Sequence, residues 1–147
     1  MRKKFYIYVD MDGVLADFFK EPNAVDRFRD EPDFFLNLAP IENNLQAVKK
    51  MLDIPEVSVR ILSASPNDRC DMDKRMWLQR YLPEMPTRNI IIMRNGERKC
   101  DYQPTKSGIL FDDYGKNCRE WEERKGNKSY KITDDHDILY WLLSILG

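Results

Sequence analysis

Net charge is almost absent from this sequence. Twenty-four Lys and Arg residues against 25 Asp and Glu residues leave a formal charge of −1 over 147 residues. A chain so balanced has no concentrated basic surface to favour long nucleic acid or an anionic membrane, so any polyanionic partner is expected to be small and held locally. Cysteine is scarce as well. Cys70, Cys100 and Cys118 are odd in number, widely spaced and without a CxxC pair, which argues for free thiols and against a disulfide framework or a zinc site. No apolar run approaches the length of a membrane span. The basic lead Met1-Arg2-Lys3-Lys4 runs into a strand rather than a longer apolar segment with a small-residue cleavage site, so a cytoplasmic location is expected. Repeats, low-complexity tracts and long linkers are missing too, and the length suits one domain with a real core, residues 1–147.

What the sequence does contain is concentrated near its start. Tyr6-Ile7-Tyr8-Val9 is an apolar, β-branched and aromatic run that ends in Asp10-Met11-Asp12-Gly13. Residues two apart on a strand share a face, so Asp10 and Asp12 can converge outside the carboxyl end of the strand. Two carboxylates that close need a cation, or one must keep its proton. A hard divalent ion suits them, and Mg²⁺ is usually held by one or two carboxylates together with waters and a phosphate. The plainer alternative is a polar turn in which Gly13 supplies a positive φ.

Further along, strands and helices alternate. Phe5–Val9 reads as the first strand, Val14 to about Lys20 as the opening of a helix. Residues of about 17–38 carry Phe18, Phe19, Phe28, Phe34 and Phe35 among charges and prolines, and read as a small, partly helical insertion folded over the site. Ile41, Leu45, Val48 and Leu52 recur at helical spacing, with Glu42 early and Lys49-Lys50 late. Residues 57–62 alternate as a second strand. A helix capped by Asp68 or Asp71 follows, with Met72, Met76 and Tyr81 on one face. Asn89–Met93 reads as a third strand buried on both faces, Gly108–Phe111 as a fourth, and Tyr130–Ile132 as a fifth. Helices are expected from about Lys116 to Lys125 and, capped by Thr133 or Asp134, over the last residues, where Ile138, Leu139, Leu142, Ile145 and Leu146 form a stripe. This alternation predicts an α/β fold with a parallel sheet covered on both faces.

In such a sheet the strand ends share one rim, where ligands bind. Asp10 and Asp12 follow the first strand, Ser63 the second, Lys99 the third, and Asp112-Asp113 the fourth. Carboxylates, a hydroxyl and an ammonium on one rim describe a Mg²⁺ and phosphate site. Ser63 is alternatively an ST-turn residue beside Pro66. Lys74 and Lys106 compete with Lys99, and Asp113 can cap the next helix while Asp112 binds metal, or the reverse. His136, the one histidine, reads as a surface residue at a helix start. Trp121 and Trp141 read as core or interface, and Arg94 as a residue that binds phosphate, sugar or nothing.

Four ordered motifs, DxDGV, a Ser after the second strand, a lysine, and an apolar strand ending in DD, resemble those of the haloacid dehalogenase (HAD) superfamily. DMDGVLADF, FFLNLAP and LFDDYGKNCREWE are similar to stretches of the bacterial relatives of the 5′(3′)-deoxyribonucleotidases. The resemblance implies a three-layer, Rossmann-like fold around a parallel five-stranded sheet, with a small helical cap after the first strand. It implies a Mg²⁺-dependent phosphomonoesterase with a deoxynucleoside monophosphate as substrate. By the same resemblance Asp10 is the nucleophile and Asp12 the general acid/base. Asp10, the backbone carbonyl of Asp12, and Asp112 or Asp113 hold the metal, Ser63 and Lys99 hold phosphate, and Phe18 stacks on the base. Animal members carry a larger helical cap, so phosphomonoester hydrolysis transfers better than deoxynucleotide preference. A phosphatase for a sugar phosphate or a polynucleotide 3′-end is the second expectation, a phospho-accepting module like a receiver domain the third. A homodimer through the insertion or the last helix is conceivable.

Overall fold

The computed structural model describes residues 3–147, so Met1 and Arg2 of the basic lead lie outside the described residues. Five strands, β1 (Phe5–Val9), β2 (Val57–Ser65), β3 (Ile90–Arg94), β4 (Ile109–Asp112) and β5 (Lys128–Lys131), pair in parallel in the order β3-β2-β1-β4-β5. Five α-helices accompany them: α1 (Ala24–Asp30), α2 (Glu42–Leu52), α3 (Asp68–Tyr81), α4 (Gly115–Glu122) and α5 (Ile138–Leu146). Alternation along β1 separates two cores. Ile7 and Val9 join Val48 of α2, Trp77 of α3 and Leu142 of α5, while Tyr8 joins Leu62, Leu110 and Trp121 of α4. The aromatics of the 17–38 insertion, Phe18, Phe28, Phe34 and Phe35, belong to the first of these clusters rather than to one of their own.

Register sets the rim. Val9 is level with Ile61 of β2 and with Phe111 of β4, so Asp10 and Asp112, each the next residue, leave the sheet side by side. The Asp10 N–H donates to the Phe111 carbonyl at 3.0 Å, which fixes that alignment one residue beyond the strand.

Several local expectations differ from the structure. No helix forms over Val14–Lys20 because the carbonyl of Met11 accepts from Val14, Leu15 and Ala16 together, and Asp17 donates across to Ala39. The chain there is a knot of turns, not a spiral. α3 is capped by Asn67, whose side chain accepts from Cys70, instead of by Asp68 or Asp71. Its buried face is Cys70, Asp73, Lys74, Trp77 and Leu78, leaving Met72 and Met76 exposed. β3 is an edge strand and so only half buried. The last helix is capped by Asp137 rather than Thr133 or Asp134, and Leu139 and Leu146 of its stripe face out.

Candidate active site

Three carboxylates meet at the rim: Asp10, Asp112 and Asp113 each offer an oxygen, and these lie within 4.8 Å of one another. Asp10 and Asp112 are buried. Their juxtaposition is compensated from the side by Lys99, carried on a short 3₁₀ turn (Lys99–Tyr102), whose Nζ lies 3.0 Å from Asp10 Oδ1 and 2.7 Å from Asp112 Oδ2. Burial works against the Lys99 charge, but the two carboxylates outweigh it and raise the ammonium above its ordinary value. One cation for three acids is not enough. Burial and the neighbouring Asp112 raise Asp10 well above the carboxylate range, against the pull of Lys99, and the same two causes push Asp113 up to about 7. A set of oxygen donors that repel one another in a buried pocket fits a hard divalent ion, which would relieve that repulsion.

Gly13 makes the cluster possible. It sits at φ +78, and a Cβ there would collide with the Asp113 carboxylate. Asp112 is the most fully engaged acid. Its Oδ1 accepts from the Tyr114 N–H at 2.9 Å, and its Oδ2 accepts from Asn117 at 3.1 Å as well as from Lys99. Asn117 lies within the LFDDYGKNCREWE stretch, but no role is assigned to it from sequence. Its signal is that stretch and its position, an amide five residues beyond Asp112, in the first turn of α4.

The carboxylate of Asp12 belongs to the other half of the site. Its Oδ1 lies 3.0 Å from Nζ of Lys74, a fully buried lysine on α3. Lys74 also donates to Ser63 Oγ at 2.7 Å and to the Ala64 carbonyl at 2.6 Å. The lysines are therefore divided: Lys99 serves Asp10 and Asp112, Lys74 serves Asp12 and Ser63, and Lys106 is exposed. Ser63 is fully buried, and Ala64 lines the cavity in its stead. Because Ser63 Oγ accepts from Lys74, its own proton remains free to donate. Arg94 is engaged, its Nη1 donating to both oxygens of Asp71 at 2.8 Å and its Nη2 paired with Asp68.

A cavity of about 340 Å³ opens over the acids, with Asp10, Asp12, Lys99, Asp113 and Tyr114 in its lining. A second, of about 200 Å³, adjoins it under the insertion and shares Asp12 and Phe19 with the first. Phe18 reaches this second cavity with 2% of its surface exposed, locked among Phe19, Phe28, Phe34 and Phe35 at centroid distances of 4.9–6.2 Å. Its neighbour Phe19 is the open ring, 62% exposed and in the lining of both cavities. Nothing in a Phe-Phe pair tells which ring will turn inward.

A family model described as "5' nucleotidase, deoxy (Pyrimidine), cytosolic type C protein" matches residues 20–136. That span includes Ser63, Lys74, Lys99, Asp112 and Asp113 and begins after Asp10 and Asp12. The cytosolic-type 5'(3')-deoxyribonucleotidase of Homo sapiens is 28% identical over 151 residues, covering 77% of this chain and 72% of that protein. The HAD domain of the effector protein Lem4 of Legionella pneumophila shares the fold at a TM-score of 0.53 and 18% identity, covering 99% of this chain and 94% of that one. No helix among the described residues is long and apolar enough to cross a membrane. With a family match over most of its length and a HAD fold around its acid cluster, the chain belongs to the cytosolic type C deoxy (pyrimidine) 5'-nucleotidase family and is a phosphatase.

Proposed function

We propose that this phosphatase hydrolyses deoxynucleoside monophosphates through a phosphorylated aspartate and needs Mg²⁺, held by Asp10, Asp112 and Asp113 with the Asp12 carbonyl. The observation that carries the reading is the convergence of those three carboxylates and Lys99 beneath one cavity. When bound, the ion offsets the repulsion between an anionic nucleophile and an anionic phosphate and stabilises the transferring oxygens.

The residues divide the work. A carboxylate oxygen of Asp10 attacks phosphorus, forming one P–O bond as the ester P–O bond breaks. The departing alkoxide takes a proton from Asp12, which then accepts one from the water that attacks the aspartyl phosphate and frees Asp10. Lys99 holds phosphoryl oxygens as a buried point charge, while Ser63, which does not line the cavity, anchors Lys74. The insertion acts as the cap. The leaving nucleoside lies toward the second cavity, since that cavity shares Asp12 with the first, and Phe19 and the exposed edge of Phe18 are its apolar wall.

The human relative bears the name deoxyribonucleotidase, which supports a nucleotide over a sugar phosphate. A panel of dUMP, dTMP, ribonucleoside monophosphates and sugar phosphates, assayed with Mg²⁺ and with chelator, tests the proposal. Turnover of the deoxynucleotides, lost in chelator, is the expected result. Equal slow rates on every ester would replace the nucleotidase reading with a generic phosphatase, and rates untouched by chelator would remove the metal.

A further inference from the structure

Lys74 is a fully buried ammonium outside the acid cluster, and the acid/base and nucleophile roles just described do not use it. Burying a charge demands partners, and each of its contacts is specific. Two of its three N–H bonds go to Ser63 Oγ (2.7 Å) and the Ala64 carbonyl (2.6 Å) at the end of β2. Its one anionic neighbour is Asp12, with Oδ1 3.0 Å from Nζ. The rings of Phe28 and Phe35 close over it from the insertion at 5.2 and 5.3 Å, a placement that favours a cation over any neutral side chain. Asp12 Oδ1 is itself buried and has no aligned hydrogen bond. The contact is thus an ion pair that stops short of a hydrogen bond, a geometry that catalytic groups often show before substrate tightens them.

We infer that Lys74 is a positioning residue for Asp12: by holding Oδ1 as an acceptor beneath the insertion, it leaves Oδ2 as the oxygen that carries the transferable proton. The inference rests on the acid/base role proposed for Asp12. With Oδ1 buried against Lys74 while Asp12 lines the cavity, Oδ2 is the oxygen presented to the leaving group. The step stays balanced, since the Oδ2–H bond breaks as the leaving-group O–H bond forms and Lys74 neither gains nor loses a proton.

The test compares leaving groups. An alkyl ester such as dUMP needs a proton on its departing oxygen, whereas 4-nitrophenyl phosphate releases a stable phenolate and does not. In a rapid-quench measurement of the first turnover, Lys74→Met is expected to slow phosphoryl transfer from dUMP by about 10²-fold, yet to leave the 4-nitrophenolate burst within about threefold of wild type. Equal slowing with both esters would show that Lys74 holds phosphate or merely the fold, and overturns the inference. No slowing with either overturns it as well. Lys74→Met combined with Asp12→Asn removes both charges of the pair, so it is the variant expected to fold if the single change does not. The double variant should transfer phosphoryl from dUMP within about threefold of Asp12→Asn alone, because a residue acting only through Asp12 has nothing left to orient. A further large loss would contradict the inference. Wild-type protein without phosphatase activity on either ester would instead sink the function proposed above, a result distinct from all of these.

Discussion

The carboxylate floor of the cavity and the 17–38 insertion beside it are held by different forces. On the floor, hydrogen-bonded strand ends set each residue, and the buried charges are answered by Lys99 and Lys74 at 2.7–3.0 Å. The insertion is held by aromatic packing. Phe18, Phe28 and Phe35 interlock and reach Trp77 of α3, with Arg69 tying down the carbonyls of Phe28 and Arg29. Its ion pairs, such as Arg27–Glu31, are exposed and contribute little. Two non-glycine residues in the left-handed region, Asn23 at φ 54 and Asp33 at φ 65, bend the chain around α1. The proposed function therefore puts reaction geometry in the part the sheet makes rigid, and choice of leaving group in the part that packing shapes.

Substitutions should separate the two regions, and the largest effect belongs to the floor. Asp10→Asn is expected to lower kcat by about 10⁴-fold or more without loss of fold. Steady-state rates beside a thermal melt check both halves, and surviving activity would remove the covalent step. Asp12→Asn should cost about 10²–10⁴-fold. In the insertion, Phe35→Ala is expected to cost about 3–5 kcal/mol of stability, because the ring packs on Trp77 in the same core as β1. Denaturant titration should show one transition shifted as a whole. A separate early transition would make the insertion an independent unit. Phe19→Ala should instead leave the melt unchanged and raise KM for the nucleotide by about three- to tenfold, the size of one aromatic contact.

The smallest expected effect is a slope. Asp113 is raised from 3.8 to about 7 in the folded chain, so the folded state keeps a proton that the unfolded chain has already released. Its stabilising contribution is present below pH 4 and is lost as pH rises through 7. Without metal, Tm should therefore fall between pH 5 and pH 8, less steeply in Asp113→Asn, and the gain in Tm on adding Mg²⁺ should grow over the same interval. A metal-induced gain independent of pH would place the ion away from these acids.

The sheet and its acid-bearing rim were legible because their signals are local. Apolar strands stop at Asp10 and at Asp112-Asp113, and in a parallel sheet such stops fall on one edge. Legibility failed where long-range contacts decide. The turns after Gly13 look helical by composition, but three N–H groups share the Met11 carbonyl. In α3 the hydrophobic spacing points to Met72 and Met76, yet the inward residues are Asp73, Lys74 and Trp77, since the face that meets β2 and the insertion buries charge. The rim lysine could not be chosen from sequence because two reach the acids, one from a short turn and one from a helix. Phe18 and Phe19 are equivalent until the fold turns one of them inward.

Trapping the intermediate addresses the mechanism most directly. Protein mixed with a ³²P-labelled deoxynucleoside monophosphate and Mg²⁺ is quenched in acid within the first turnover; one portion is counted for label, and the other is reduced with borohydride and mapped by mass spectrometry. Label on the chain before reduction, and homoserine at residue 10 after reduction has released that label as phosphate, are the results expected of a phosphorylated Asp10. Phosphate released with no labelled protein at any quench time in wild type or in the slowed Asp12→Asn variant, or label on another residue, would contradict it.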